Sequence, residues 1–171
     1  MKILITGVAG TGKSTISKEL NKKGVVSIDF KDVPGLSYWR NKTTKEKVEY
    51  PATGDLSWFD SHERICDLKR LKEILDEHKD LVVTGIASGN QTECFNFFDK
   101  IFLLQCSPET IIRRMQTRKT SWGKTKVEQD YTLQWQKVFD PLCLSLGLTP
   151  INTEGALDIV IDKIITQIQT D

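Results

Sequence analysis

The sequence predicts a three-layer α/β fold: a five-stranded parallel sheet with helices on both faces and a short lid. Three observations carry that expectation. Short continuous apolar runs alternate with amphipathic stretches of helical period, the pattern of strands buried on both faces. A glycine-rich turn joins the first run to the first helix. The 171 residues hold no internal repeat and no low-complexity linker, so residues 1–171 read as one domain with a single continuous core.

The strands are expected at Lys2–Thr6, 25–29, Leu81–Thr84, Lys100–Gln105 and 148–151, each followed by a crossover. The first helix starts near Lys13, with Ile16 and Leu20 spaced i, i+4. A long helix opens at Trp58-Phe59-Asp60-Ser61-His62. It puts Ile65, Leu68, Leu71, Ile74 and Leu75 on one side, and Arg64, Lys69, Arg70, Glu73 and Asp76 on the other. Ser107-Pro108-Glu109 supplies an N-cap, a first-turn proline and a first-turn acid, so a helix runs from there through Met115. Val127, Tyr131, Trp135, Val138 and Leu142 form a further stripe, with a break near Pro141 and a stop at Gly147. Leu157, Ile161, Ile164, Ile165 and Ile168 mark the last helix.

Two segments escape this pattern. Residues 33–55 are turn-rich, with Pro34-Gly35 and Pro51 through Gly54, yet carry Tyr38, Trp39, Arg40 and Tyr50. Residues 119–126 hold Gly123 among three lysines between two helices. Long irregular segments in a compact domain are binding loops or lids, so 33–55 is assigned to acceptor binding and 119–126 to a lid.

Composition excludes several classes. A net charge of +1 with scattered lysines gives no footprint for nucleic acid. Cys66, Cys94, Cys106 and Cys143 lie far apart without a C-x-x-C pair, which argues against a zinc or redox motif and for reduced thiols in the cytoplasm. No segment approaches the roughly 20 apolar residues of a membrane span, and the apolar start at Ile3-Leu4-Ile5 is too short for a signal peptide. Oligomeric state leaves no mark in the chain.

The chemistry concentrates in Gly7-Val8-Ala9-Gly10-Thr11-Gly12-Lys13-Ser14, a G-x-x-x-x-G-K-S loop between the first strand and the first helix, continued by Thr15. Phosphate oxygens can be surrounded by backbone N–H groups only where side chains do not block the approach, hence the glycines. Lys13 places an ammonium on the β- and γ-phosphates of a nucleoside triphosphate, Ser14 offers a hydroxyl to Mg²⁺, and the helix dipole points at the same phosphates.

Ligands of an open α/β sheet bind outside the carboxyl ends of its strands, which makes 7–15, Asp29 and Asp32, 85–91 and the helix after Ser107 the candidates. Of Asp29 and Asp32, one carboxylate suits a water of the Mg²⁺ shell and the other a proton from an attacking hydroxyl. The small, polar loop from Gly85 to Asn90 lets the backbone approach a substrate. Arg114 and Arg118 share a helix face leading into the lid. A guanidinium there suits either stacking on a purine or gripping a phosphoryl group in transit.

On these residues the chain resembles the adenylate kinase, shikimate kinase and gluconate kinase branch of P-loop kinases. More narrowly it is similar to small, uncharacterised bacterial nucleoside kinase-like ATP-binding proteins. The likeness covers nearly the whole chain, with its best matches at 7–15, Ile28-Asp29, Thr84-Gly85, Phe98-Asp99 and the Arg114-x-x-x-Arg118 spacing. It implies ATP and Mg²⁺ as cofactors, Arg114 near adenine, Arg118 on the transferred phosphoryl group and Asp29 at the metal or acceptor. It also implies a P-loop phosphotransferase acting on a small molecule.

The chain departs from the branch in informative places. Where shikimate kinases have Asp-x-Asp, this sequence has Asp29 and then Lys31, and the next acid is Asp32. After Arg118 the lid carries only Lys119, Lys124 and Lys126. Arg40, Arg64 and Lys42 are the cations near the acceptor segment, and the acceptor stays open between a nucleotide, a nucleoside and a small polyol. Lys13, Asp32 and Arg118 are the expected catalytic set, with Asp29, Asp32, Arg40, Gly85 and Asn90 at the acceptor. Two other readings compete. Asp32-Val33-Pro34-Gly35 matches a GTPase D-x-x-G element, but Asn41-Lys42 is followed by Thr43-Thr44 and not by a guanine-reading N-K-x-D. A regulator that binds ATP without transferring phosphate would carry the same loop.

Overall fold

The computed structural model describes residues 1–51, 55–119 and 122–169. Residues 52–54 of the acceptor-side segment and 120–121 of the lid lie outside the described residues.

In chain order the elements are β1 (Lys2–Thr6), α1 (Lys13–Lys22), β2 (Ser27–Asp29), a 3₁₀ turn (Phe30–Asp32), β3 (Ser37–Asn41), β4 (Lys47–Val48), α2 (Trp58–Ser61), β5 (His62–Cys66), α3 (Leu68–Asp76), β6 (Leu81–Thr84), α4 (Gln91–Phe95), β7 (Lys100–Gln105), α5 (Pro108–Thr117), α6 (Lys126–Ser145), β8 (Thr149–Asn152) and α7 (Leu157–Gln169). Five strands make the expected parallel sheet in the order β2-β6-β1-β7-β8, with β1 central. Alternating side chains of each strand feed opposite cores. Ile3, Ile5, Val82, Phe102 and Leu104 pack with Ile16 and Leu20 of α1 and Ile161 and Ile164 of α7. Leu4, Val83 and Leu103 pack with Leu71 and Ile74 of α3, Ile111 and Met115 of α5 and Phe139 of α6. Helices therefore cover both faces, as parallel strands require. Among the described residues no helix is long and apolar enough to cross a membrane.

The structure corrects the reading of 33–66. In place of an irregular segment and the start of a long helix, it holds a second, antiparallel sheet in the order β4-β3-β5. Ser37 pairs with Cys66, Trp39 with Arg64 and Asn41 with His62. Ile65 and Arg64 thus lie on a strand, and the helix starts only at Leu68, where the Asp67 side chain caps the Arg70 amide at 3.0 Å. Strand ends also shift: β2 begins at Ser27 and β8 spans Thr149–Asn152.

Pro141 does not break α6, which runs unbroken to Ser145. The carbonyl it leaves without an amide partner belongs to exposed Lys137, where water can satisfy it. Gly147, at φ +82°, then stops the helix: its amide bonds the Leu144 carbonyl (3.0 Å), and the Leu148 amide bonds the Cys143 carbonyl (3.1 Å).

Candidate functional site

The carboxyl ends of β1, β2 and β6 open into a cleft of about 790 Å³, bounded on the far side by the small sheet. Its floor is the loop between β1 and α1. A Cβ at Gly7 would meet the Leu104 carbonyl oxygen at 2.6 Å, so only glycine lets the loop leave the sheet there. Gly7 is buried beneath the loop, and Ala9, Gly10, Thr11, Gly12, Lys13, Ser14 and Thr15 line the cleft. The Thr11 hydroxyl donates to the Val8 carbonyl at 2.8 Å, which pins the turn. Gly12 occupies the N-cap position of α1 without a side-chain cap, leaving the first amides of the helix directed at the cleft.

The Lys13 ammonium donates to the carbonyls of Gly7 and Val8, the latter at 2.9 Å. Burial lowers its pKa to about 8, opposed by the Asp29 carboxylate. Asp29, buried at the end of β2, accepts from the Ser14 hydroxyl at 2.5 Å and from the Lys31 amide at 3.1 Å. Two oxygens thus converge beside the loop, a donor set suited to a hard divalent cation that keeps water and phosphate oxygens as its other ligands.

On the opposite flank, Arg114 donates to the Thr153 carbonyl at 2.6 Å, the Thr153 hydroxyl at 3.1 Å and the Gly10 carbonyl at 3.4 Å. It ties the phosphate loop to the segment after β8 and lines the cleft. Arg118 follows at the end of α5 and donates through Nε to the Trp122 carbonyl at 2.9 Å. Burial lowers its pKa, with Glu128 opposing. Glu128 in turn accepts from the Gly123 amide at 2.9 Å and the Thr125 amide at 3.1 Å, so the described part of the 119–126 segment is laced onto α6.

Three of the expected acceptor residues, Asp32, Arg40 and Asn90, lie outside the cleft lining. Asp32 ends the 3₁₀ turn, exposed and outside the cleft lining: the turn buries Phe30 in the core and keeps Lys31 at the cleft edge beside Asp29, leaving Asp32 pointing away. Arg40 lies on the opposite face of β3 from Trp39, with Nε 2.9 Å from Glu63. Asn90 acts as a strut: its side chain accepts from the Cys66 amide (2.9 Å) and donates to the Cys66 carbonyl (2.8 Å). Gly85 does line the cleft, but its lack of a side chain serves the Phe30 ring, which a Cβ would approach to 2.3 Å. Lys42 is spent on the carbonyls of Phe59 and Asp60, both at 2.9 Å.

The wall of the cleft away from the phosphate loop is formed by Ser37, Trp39, Arg64, Ser88, Trp122 and Tyr131. Trp39 and Arg64 are direct partners across β3 and β5 and so present side chains on one face. The signal was present in the alternation Ser37-Tyr38-Trp39-Arg40-Asn41, a β-forming run of period two after a Pro-Gly turn. Trp39 also belongs to an aromatic cluster with Tyr50, Trp58, Phe59, Trp122 and Tyr131. Its Trp39–Trp122 centroids are 6.0 Å apart and its Phe59–Tyr131 centroids 3.8 Å apart. His62 stacks on Trp58 at 4.2 Å and bonds its carbonyl, a structural role.

This sheet order and this loop define a phosphate-loop α/β protein. The chain belongs to the AAA domain family, whose model matches residues 3–136. It is 32% identical over 119 residues to a Methanocaldococcus jannaschii protein named "Putative adenylate kinase", a match covering 69% of this chain and 59% of that protein. The chain thus spans somewhat over half the length of that relative. Among solved structures it is similar to deoxyadenosine kinase from M. mycoides (TM-score 0.60, 16% identity, 100% of both chains). It is also similar to shikimate kinase from Acinetobacter baumannii (TM-score 0.58, 18% identity, 99% of this chain and 95% of that one).

Proposed function

We propose that this protein is an ATP-dependent kinase that transfers the γ-phosphoryl group to a small-molecule acceptor. One observation carries the reading: a single cleft has the phosphate loop with Lys13, Ser14 and Asp29 on one side and a second wall, built from Ser37, Trp39 and Arg64, on the other. A nucleotide-binding regulator needs only the first. The resemblance to kinases of nucleosides and small hydroxylated acids agrees with the second.

In this reading the amides of 9–15 and the Lys13 ammonium hold the triphosphate, and Arg114 with Thr153 frames the adenine. Ser14 and Asp29 would hold Mg²⁺, whose charge would offset that of the phosphates. Arg118, which lines the cleft from the end of α5, is the cation for the transferred group, where its planar fork would stabilise developing negative charge. Asp29 is the carboxylate placed to take the acceptor's proton or to order the metal's water, in place of Asp32. Closure of the aromatic wall excludes water, against which transfer would otherwise compete. Four unpaired thiols and dependence on ATP fit a cytoplasmic setting.

The test is acceptor-dependent formation of ADP in a panel of nucleosides, nucleoside monophosphates and sugar acids, with Lys13→Ala as control. An acceptor that raises ADP formation severalfold and emerges phosphorylated is expected. ADP formation that no panel member changes contradicts the reading.

A further inference from the structure

Of the cations lining the cleft, all but one stand on the side of the phosphate loop, the turn after β2 or the segment after α5, where Lys18 and Lys119 are exposed. Lys13, Arg114 and Arg118 are folded onto backbone carbonyls around the phosphate loop and lid, and Lys31 lies 3.6 Å from Asp29. Arg64 alone stands on the wall of the small sheet. Its Nη2 donates to the Ser37 hydroxyl at 2.7 Å, and its Cζ lies 5.9 Å from the centre of the Trp39 ring. Among the described residues no carboxylate forms an ion pair with it. Its strand neighbour Glu63 points to the other face, where it pairs with Arg40 at 2.9 Å.

A guanidinium has five N–H donors, and one hydroxyl satisfies a small part of that capacity. Half-buried and facing the cleft, Arg64 has given up water without gaining a counter-ion, which is costly unless an anion completes the site. Burial lowers its pKa, and Asp29 across the cleft offsets this only from a distance. The Ser37 hydroxyl and the Ser88 hydroxyl, which accepts the Arg64 backbone amide at 3.0 Å, fix the strand and the head group in place. Such a pre-oriented fork matches the two oxygens of a carboxylate or phosphate better than a neutral hydroxyl.

We propose that the acceptor carries an oxyanion, and that Arg64, oriented by Ser37, is the residue that recognises it. The proposal rests on the kinase reading and narrows it: neutral nucleosides and neutral polyols fall out, while nucleoside monophosphates and carboxylated polyols remain.

Binding, read apart from transfer, tests it. The wild-type chain, its ATP site saturated with a non-hydrolysable analogue and Mg²⁺, is titrated calorimetrically with AMP against adenosine and with gluconate against glucitol. One of the two anions is expected to bind at least tenfold more tightly than its neutral counterpart, AMP marking a phosphate and gluconate a carboxylate. Arg64→Gln should weaken that anion at least tenfold and leave the ATP analogue within twofold of wild type, and Arg64→Lys should recover part of the loss. The wild-type comparison needs no variant, so a variant that fails to fold does not shield the proposal. Equal affinity for a neutral counterpart overturns it, as does binding of neither anion, an unchanged anion affinity in Arg64→Gln, or a parallel loss of ATP analogue affinity. Failure of the kinase reading would show separately, as an anion that binds through Arg64 but is never phosphorylated.

Discussion

Lys13 meets opposite demands before and after the triphosphate arrives. In the free chain its ammonium has only loop carbonyls around it, and burial lowers its pKa to about 8. Polyphosphate charge beside it stabilises the protonated form, so binding raises that pKa. Above pH 8 nucleotide binding therefore takes up a proton, and affinity falls as the pH rises through that value. Calorimetry at pH 8.5 in two buffers of different ionisation enthalpy should register an uptake of more than about half a proton, and Lys13→Ala should lose it. The stability of the free chain moves the other way. A lysine whose folded-state pKa is lowered penalises the fold fully below about pH 8, and the penalty fades as pH rises toward the ordinary value of 10.5. Lys13→Ala should thus lower turnover by about 10²–10³-fold while leaving the melting temperature of the free chain unchanged or slightly raised. The two aspartates separate in the same assay. Asp29→Asn removes the buried partner of Ser14 and should weaken activation by Mg²⁺ by about 10–100-fold, whereas Asp32→Asn, exposed and outside the cleft, should stay within about twofold of wild type. Equal losses in both would restore Asp32 to the mechanism.

The elements differ in how openly they announce themselves. The five parallel strands were legible because burial on both faces leaves continuous apolar runs, and the phosphate loop was legible because its glycines and Lys13 must stand at fixed spacing. The small sheet was not. Its strands are short and half polar, its central pairing joins Trp39 to Arg64 across 24 intervening residues, and Ile65 happens to fall in register with the leucines of α3. A residue-by-residue reading of helical period had no reason to stop at Asp67, though an aspartate directly before the leucine-rich run is a helix-starting signal. That sheet packs against Trp122, in the segment proposed as a lid. Trp122 lies against Trp39, Tyr50 and Phe59, and its carbonyl anchors Arg118, so the ring on the wall proposed for the acceptor and the cation proposed for the transferred group meet at one residue. Trp122→Ala should lower kcat about tenfold or more with little change in KM for ATP, through loss of Arg118 positioning, and cost about 2 kcal/mol of stability. Trp122→Phe should restore most of the rate. Trypsin should report the same change, with faster cleavage at Lys119 and Lys124 in the alanine variant. A kcat that Trp122→Ala leaves untouched would detach the lid from catalysis.

At the scale of the whole molecule, the placement of the aromatics makes the fold its own reporter. The chain has four tryptophans; Trp39, Trp122 and Trp135 line the cleft, and Trp58 packs edge-on to Trp39 at 5.0 Å. None belongs to the core on the α1 and α7 side of the main sheet, where Ile3, Ile5 and Phe102 pack, whereas Trp122 and Trp135 pack against the core on the opposite side. The tryptophans thus collect on the side where the antiparallel sheet and α6 border the cleft, and their amphipathic rings suit a surface that is apolar on one side and open to ligand on the other. Any ligand that enters the cleft changes the solvation and packing of the rings there, and one that binds elsewhere leaves them as they were. Intrinsic fluorescence of the unmodified chain should therefore shift on saturation with a non-hydrolysable ATP analogue and Mg²⁺. It should shift again when an acceptor draws Trp39 and Trp122 together. Trp39→Phe should remove most of the second change and spare the first, because Trp39 stands on the acceptor wall and not on the phosphate loop. If calorimetry proves the nucleotide bound while emission stays constant, the nucleotide lies outside this cleft.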